Sequence, residues 1–337
     1  MRIGLVGAGR IGAVHAETLA DLDPVSELVI ADAAADRAAE LAGRVGARAA
    51  PDAAALLDGP DRVDGVVIAA GTAAHADLIV AAVDAGVPTF CEKPIAADLT
   101  GTRAVLDRVA ASGVPLHVGF QRRFDAGYQR VRDAVRSGEL GRLHTVRGCT
   151  CDPAPPPAGY IATSGGLFRD CSVHDFDAIR WITGRPVVSV YATGTDGGEP
   201  FFAAAGDVDT GAALLTLEDG ILATVTATRY NGAGYDVRLE ACGSKSTLVA
   251  GLDRRAPLAC ADDDAAAGPC GEPYDGFLAR FHDAYVAELI AFTEVIAGHR
   301  ASPCTGEEAL EALLVAEAAE RSRLLGRPVT VAEAAAA

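Results

Sequence analysis

Six residues near the start, Gly7-Ala8-Gly9-Arg10-Ile11-Gly12, limit the fold of this chain more than any other stretch. Residues 2–6 before them form an apolar strand, and a run of helical periodicity follows through about Leu22. In that setting GxGxxG means a tight turn, a close approach of backbone to a pyrophosphate, and a helix N-terminus aimed at negative charge. A second strand, Glu27-Leu28-Val29-Ile30-Ala31, ends at Asp32, about twenty residues past the last motif glycine, where the dinucleotide fingerprint expects an acid on the ribose hydroxyls. Gly7, Gly9, Arg10, Ile11, Gly12 and Asp32 are therefore cofactor candidates. The Asp32 carboxylate would repel a 2′-phosphate, which selects NAD over NADP, while Arg37 could stack on adenine or soften that preference.

Helices and strands then alternate. Helices are expected over 34–45, 52–58, 74–85 and 99–112, and strands over 47–49, 65–69, 87–91 and 115–120. This cadence predicts a doubly wound parallel sheet whose ligands lie at the carboxyl ends of the strands. Such ends carry Thr72 and His75, then Glu92-Lys93-Pro94, then Gln121-Arg122-Arg123. Thr72, His75, Glu92, Lys93 and Gln121 join the cofactor candidates.

Past residue 123 the texture changes. A helix at 125–135 and a strand at 143–148 precede a proline-extended loop, Asp152-Pro153-Ala154-Pro155-Pro156-Pro157. A helix over 172–183 is followed by strands at 187–193, 211–218, 221–229 and 236–242, with Asp219-Gly220 as a hairpin signal. Residues 253–276 read as a long irregular excursion. A helix face (Phe277, Phe281, Tyr285, Leu289, Phe292, Ile296), a last helix at 306–325 and a short strand at 329–331 close the chain. The expected fold class is α/β: a Rossmann domain, residues 1–121, and an α+β substrate-binding and oligomerisation domain with a large, mainly antiparallel sheet, residues 122–337.

Charge and composition exclude several functions. A net charge of −17 argues against nucleic-acid or anionic-lipid partners and for a soluble cytoplasmic protein. No run of about eighteen apolar residues is present, and the N-terminus passes straight into the glycine motif, so neither a membrane span nor a signal or transit peptide is expected. The eight cysteines include no CxxC pair; Cys149 and Cys151 are two apart, and Cys260 and Cys270 fall in the irregular excursion. They are read as reduced small hydrophobes, with no disulfide and no metal site.

Of the 29 basic residues only two are lysines, Lys93 and Lys245. In an arginine-rich background, a lysine marks a place where a planar guanidinium will not serve. Lys245 belongs to the turn Gly243-Ser244-Lys245-Ser246 and is read as a solvated turn residue. Lys93 sits just beyond a strand end and is read as chemical.

Its partner is sought in the stretch Gly165 to Asp177. Val173, Phe176, Ile179, Trp181 and Ile182 recur at near-helical spacing, and Gly184 is placed to end the run. On such a helix Asp170 and His174 share a face, with Asp177 three residues on, and the paired glycines Gly165-Gly166 allow a close approach to a flat ligand. A carboxylate that orients an imidazole is a general acid–base pair. In isolation the same residues describe a capped helix with a surface histidine.

With these motifs in hand, the chain resembles, from end to end, the Gfo/Idh/MocA family of sugar and polyol dehydrogenases, and within it the inositol 2-dehydrogenases. The resemblance is carried by the GAGRIG stretch, Cys91-Glu92-Lys93-Pro94, Gly119-Phe120-Gln121-Arg122-Arg123-Phe124-Asp125, the proline-rich loop, Gly165 through Asp177, and Gly234-Tyr235-Asp236. It implies a catalytic triad of Lys93, Asp170 and His174. It also implies a substrate site of Lys93, Arg122, Asp152, Asp170, His174, Asp177 and Tyr235, and a homotetramer built by the second domain's sheet. The activity implied is NAD-dependent oxidation of a cyclitol hydroxyl, most like myo-inositol to 2-keto-inositol. Rival substrates are scyllo-inositol, levoglucosan and aldoses. Rival classes are dinucleotide-sensing regulators, whose mark would be loss of the lysine or histidine, and NAD-recycling glycosidases. Gln121 and Arg169 are the points where the family's pattern leaves the polyol open.

Overall fold

The computed structural model describes residues 1–259, 261 and 271–336, and among these the chain divides into two compact units. The first comprises Met1–Gln121 with Tyr285–Leu310, the second Arg122–Ala284 with Glu311–Ala337.

In the first unit six parallel strands are formed by Arg2–Val6 (β1), Glu27–Ala31 (β2), Arg48–Ala49 (β3), Gly65–Ile68 (β4), Thr89–Glu92 (β5) and Leu116–Gly119 (β6). They lie in the order β3-β2-β1-β4-β5-β6, with the chain reversing direction of growth between β1 and β4. This is the doubly wound order, whose ligand crevice lies at that switch point. The strands are continuous apolar runs because both faces are covered, as the Ile3, Leu5, Ile30, Val67 and Phe90 core requires.

The first unit runs to Gln121 and takes in Tyr285–Leu310 as well, so the second unit is interrupted in sequence. Leu289, Phe292 and Val295, on the helix His282–Ile296, are buried in the same cluster as Ile3, Leu5 and Phe90. Phe292 meets Phe90 at 5.7 Å between ring centroids. The expected face is split: Leu289 and Phe292 are core of the first unit, whereas Phe281 packs on Tyr128 in the second. Nothing local in sequence marks that return.

The second unit holds a seven-stranded sheet of Leu143–Cys151 (β7), Val187–Thr195 (β8), Thr210–Leu217 (β9), Leu222–Thr228 (β10), Asp236–Gly243 (β11), Thr247–Ala250 (β12) and Val329–Thr330 (β13). The order is β12-β11-β7-β10-β9-β8-β13, antiparallel except where β10 runs parallel to β7. At the β9–β10 turn Asp219 and Gly220 both adopt positive φ, 64° and 75°, as an Asp-Gly hairpin requires. Alternation along β7 settles the two faces of the sheet. Val146, Gly148 and Thr150 point inward, while Arg147, Cys149 and Cys151 point the other way.

Some local structure was not anticipated. Short helices form at Ala158–Ile161, Pro200–Ala204 and Val331–Ala335. Part of the irregular excursion foreseen over 253–276, with Cys260 and Cys270, lies outside the described residues. Among the described residues no helix is long and apolar enough to cross a membrane.

Truncating Phe292 to alanine should lower the stability of the first unit by about 3–5 kcal/mol, the usual loss for a buried aromatic. A denaturant titration monitored by dinucleotide binding would read it. A change below about 1 kcal/mol would mean that the late helix is peripheral to that core.

Candidate active site

The cofactor end is built from main chain. Gly7 has φ +109°, and a Cβ there would lie 2.6 Å from the Ala69 carbonyl. A Cβ on Gly12 would run into the Gly7 carbonyl oxygen. These two glycines let the loop, β4 and the helix Arg10–Asp21 close on one another. Gly9 differs: nothing lies within 4 Å of the position its Cβ would take. That open cradle, at a helix start with no side-chain cap, fits a pyrophosphate approaching the backbone. Arg10 and Ile11 begin the helix, exposed and half-buried respectively.

Asp32, 8 % exposed, accepts from the Ala8 amide at 2.7 Å and the Ala34 amide at 2.8 Å, and Arg37 Nη2 donates to it at 2.7 Å. Burial works to raise its pKa, but these donors outweigh it and hold the carboxyl below its usual value. A carboxylate fixed by amides on both sides is oriented before any ribose arrives. Arg37 is thus tied to Asp32 with its side chain 60 % exposed, rather than set apart from it.

At the next strand ends Thr72 starts the helix Thr72–Asp84, half-buried, and Gln121 is buried in the turn Gln121–Phe124. His75 was expected to face cofactor. Its ring is buried, with Nδ1 at 2.7 Å from the Pro94 carbonyl and Nε2 at 3.0 Å from the Ala70 carbonyl. The ring thus lies between the carbonyl that follows β4 and the segment after Lys93, and ties the two together. Glu92 pairs through Oε1 with Nε2 of the fully buried His15 at 2.7 Å. Lys93 is half-buried at this junction, and its peptide to Pro94 is cis.

The second unit carries the other candidates. Gly165 and Gly166 take φ of +82° and +94°, and the Asp207 carboxylate caps the following Leu167 amide at 2.9 Å. Phe168–Ser172 is a π-helical turn, continued by the α-helix Val173–Thr183, which Gly184 ends at φ +64°. The helix was legible from its periodicity. The π turn was not, and it sets the direction of Asp170 through a turn one residue longer, a feature frequent at functional sites.

Asp170 Oδ1 accepts from the Tyr160 hydroxyl at 2.8 Å, and Oδ2 accepts from Arg229 Nη2 at 2.7 Å. Arg229 Nη1 also donates to Asp152 Oδ2 at 3.1 Å. One guanidinium, 3 % exposed, therefore bridges the two carboxylates that were expected near substrate. Burial pushes the Asp152 carboxyl above its usual value, against the pull of Arg229. Burial and the Asp170 charge push the Tyr160 phenol up, so it remains a hydrogen-bond donor at neutral pH. Tyr235, 5 % exposed, is held by its amide on the Tyr274 carbonyl at 3.1 Å.

Sequence reasoning missed Arg229 and Tyr160. Arg229 follows β10, and only the parallel register of Thr228 with Cys151 brings it beside Asp152. Tyr160 lies just past the proline run and gave no periodic signal.

Arg122 and Asp177, expected near substrate, are both buried and ion-paired. Arg122 Nη1 donates to Asp175 at 2.7 Å and Nη2 to Thr150 at 2.8 Å, and Thr150 in turn donates to Asp175 at 2.7 Å. Asp177 receives a fork from Arg123, at 2.9 Å and 2.6 Å. All four charged residues are at most 3 % exposed. Charges so deep must be paired, and these pairs hold the His174 helix to its own unit. Arg169, the other open point, donates to Glu317 at 2.5 Å on the helix Gly306–Leu325.

An acid-terminated dinucleotide motif in one unit and, in the other, a carboxylate–guanidinium cluster at the turn that leads into the helix of His174 mark an NAD-binding oxidoreductase of the two-domain Rossmann class. More narrowly, the chain belongs to the Gfo/Idh/MocA oxidoreductase family. The family's NAD-binding Rossmann model matches residues 1–120, and its C-terminal domain model residues 128–249. Similar proteins include the myo-inositol 2-dehydrogenase of Thermotoga maritima, 36 % identical over 99 % of both chains. The scyllo-inositol 2-dehydrogenase (NAD(+)) of Bacillus subtilis is 33 % identical over 98 % of this chain and 96 % of the relative. Among solved structures, the scyllo-inositol dehydrogenase of Lactobacillus casei with NAD(H) and scyllo-inositol superposes with a TM-score of 0.87, at 30 % identity, over 98 % of this chain and 99 % of that one.

Two predictions follow from this geometry. Because the folded pKa of Asp32 is depressed, its stabilising contribution is present above the unfolded carboxylate's value of about 3.9 and is lost as pH falls through the lower folded value. The stability gap between wild type and Asp32→Ser should therefore shrink on acidification, and the NAD/NADP ratio of kcat/KM should drop in the variant. An unchanged ratio would remove Asp32 from ribose recognition.

Arg229→Met should leave Asp152 and Asp170 facing each other without their shared cation, lowering stability by about 3–5 kcal/mol. Assayed well below its melting temperature, it should also lose kcat, with partial recovery in Arg229→Lys and unaltered NAD affinity. Loss of stability with full kcat would make the bridge purely structural.

Proposed function

We propose that this protein oxidises a secondary hydroxyl of a cyclitol to the ketone with NAD, and that myo-inositol, giving 2-keto-inositol, is its preferred substrate. The observation that carries this reading is the Asp152–Arg229–Asp170–Tyr160 cluster beside the His174 helix. A hydroxyl-rich ligand offers little apolar surface, so its recognition needs fixed donors and acceptors of this kind. The full-length likeness to inositol dehydrogenases supports the same substrate class.

When bound, NAD supplies the acceptor for the hydride. The chain's own residues do the rest. His174 takes the hydroxyl proton as general base, and Asp170 orients the imidazole and balances its cation. Lys93 stabilises the negative charge that develops on the alcohol oxygen. Asp152 and Tyr235 supply further contacts to the ring hydroxyls.

We further propose a homotetramer assembled through the sheet face that carries Arg147. Register places Tyr191, Leu214, Thr224, Arg147, Glu240 and Val249 in one row across that face, and Tyr191, Leu214 and Val249 are 44 %, 45 % and 38 % exposed. Apolar side chains gathered on one open face are characteristic of an interface. The cytoplasm suits the six described cysteines, which are thiols.

A panel of cyclitols and sugars with NAD, scored by kcat/KM from NADH absorbance, tests the substrate reading, and a sugar preferred over every cyclitol would overturn it. His174→Ala should lower turnover by about 10² to 10⁴ and abolish the acid limb of the pH profile. Lys93→Met should lower kcat while sparing NAD binding, and Lys93→Arg should not rescue it. If His174→Ala instead raises KM, spares kcat and keeps the acid limb, the base is not His174.

A further inference from the structure

We propose that Cys149, Cys151 and Asp236 form a binding site for a soft divalent cation of the zinc or cadmium kind. In the extended strand β7, residues two apart share a face. Thr150, between the two cysteines, hydrogen-bonds Asp175, and a Cβ on Gly148 would meet the same carboxylate at 3.0 Å. Cys149 and Cys151 therefore point to the opposite face. On β11, Asp236 is directly across from Cys151, and Arg238 is across from Cys149. Register thus puts two thiols and a carboxylate side by side. The two Sγ atoms and one carboxylate oxygen lie within 4.8 Å of one another, with Cys149 Sγ 3.9 Å from Asp236 Oδ2.

Zinc bound by two thiolates and a carboxylate, at about 2.3 Å and 2.0–2.2 Å, needs these atoms roughly 3.5–4 Å apart, so small side-chain rotations would close the site. The donor set excludes magnesium and calcium, which take oxygen ligands, and selects a thiophilic ion. A disulfide suits the geometry less well. Two residues of extended strand separate the Cα atoms by about 6.6 Å, at the outer limit for a cystine. Both cysteines are half-buried thiols within one chain, on the face proposed for assembly, so a second copy would close over the site.

Charge also balances. Binding releases one proton from each thiol, and two thiolates, Asp236 and the cation sum to −1. Arg238, which donates to Asp236 at 2.8 and 3.0 Å, brings the sum to zero. The carboxylate keeps lone pairs for the ion while Arg238 stays in place. Three protein ligands leave a fourth position for water or for a group from a second copy of this chain.

The test uses chelator-treated, reduced full-length protein and Zn²⁺ or Cd²⁺ alone. Native mass spectrometry counts ions and chains together, and competition with a chromophoric chelator gives affinity. Wild type should take up one ion per chain, with a cadmium–thiolate absorption band and release of two protons. Cys149→Ser and Cys151→Ser, near-isosteric and checked by circular dichroism, should each weaken binding by about 10²-fold or more, and Asp236→Asn by less. Wild type that takes up no equivalent at micromolar Zn²⁺ would overturn the proposal. So would either serine variant binding as wild type does.

Discussion

Two buried ion pairs carry the second unit. Arg122 with Asp175, and Arg123 with Asp177, join the turn Gln121–Phe124 to the helix on which His174 rides. None of these charges reaches solvent to any useful extent, so removing one partner leaves the other stranded. The consequence is rigidity where chemistry needs it. The π turn before the helix, the cap from Asp207 and the Arg229 bridge all take their direction from a helix that cannot shift without breaking these pairs.

The first unit reaches the same end by close main-chain contact. Gly7 and Gly12 permit the β1 loop, β4 and the first helix to touch without side chains between them. His75 fastens the carbonyls of Ala70 and Pro94, and His15 fastens Glu92. Lys93 is thereby set in a segment that two buried histidines hold in place. Asp32 is likewise held by amides before cofactor binds. In both units the groups proposed to act are few, and the groups that orient them outnumber them.

The nearly exclusive use of arginine gains a physical reason here. The buried bridges need a flat fork: Arg229 spans two carboxylates, Arg123 grips one with two bonds, and Arg122 divides its donors between Asp175 and Thr150. An ammonium concentrates its donors on one nitrogen and cannot offer two parallel donors in a plane. Lys93 stands apart, since the role proposed for it beside a developing alkoxide calls for a compact charge. The outward face of the second sheet follows different rules, with apolar residues on β8 and β9 and a thiol–carboxylate cluster on β7 and β11.

By itself the sequence determined the parts that depend on neighbours along the chain. The strand–glycine–helix–strand–Asp32 motif, the alternation of helix and strand, the Asp219-Gly220 turn and the helix ended by Gly184 are local, and each was legible from spacing and residue type. Lysine scarcity and motif likeness likewise singled out Lys93, Asp170 and His174. What only the tertiary structure decided is pairing between distant residues. It gave the late helix of Phe292 to the first unit's core, took Arg122 and Asp177 inside, and set the His75 ring between the Ala70 and Pro94 carbonyls. It brought Arg229 to Asp152 through a parallel strand pair and Asp236 to two cysteines through an antiparallel one. Periodicity reports which face of an element is apolar; it carries no record of which buried charge will meet which, because that choice is made by register and by the need to satisfy every ion removed from water.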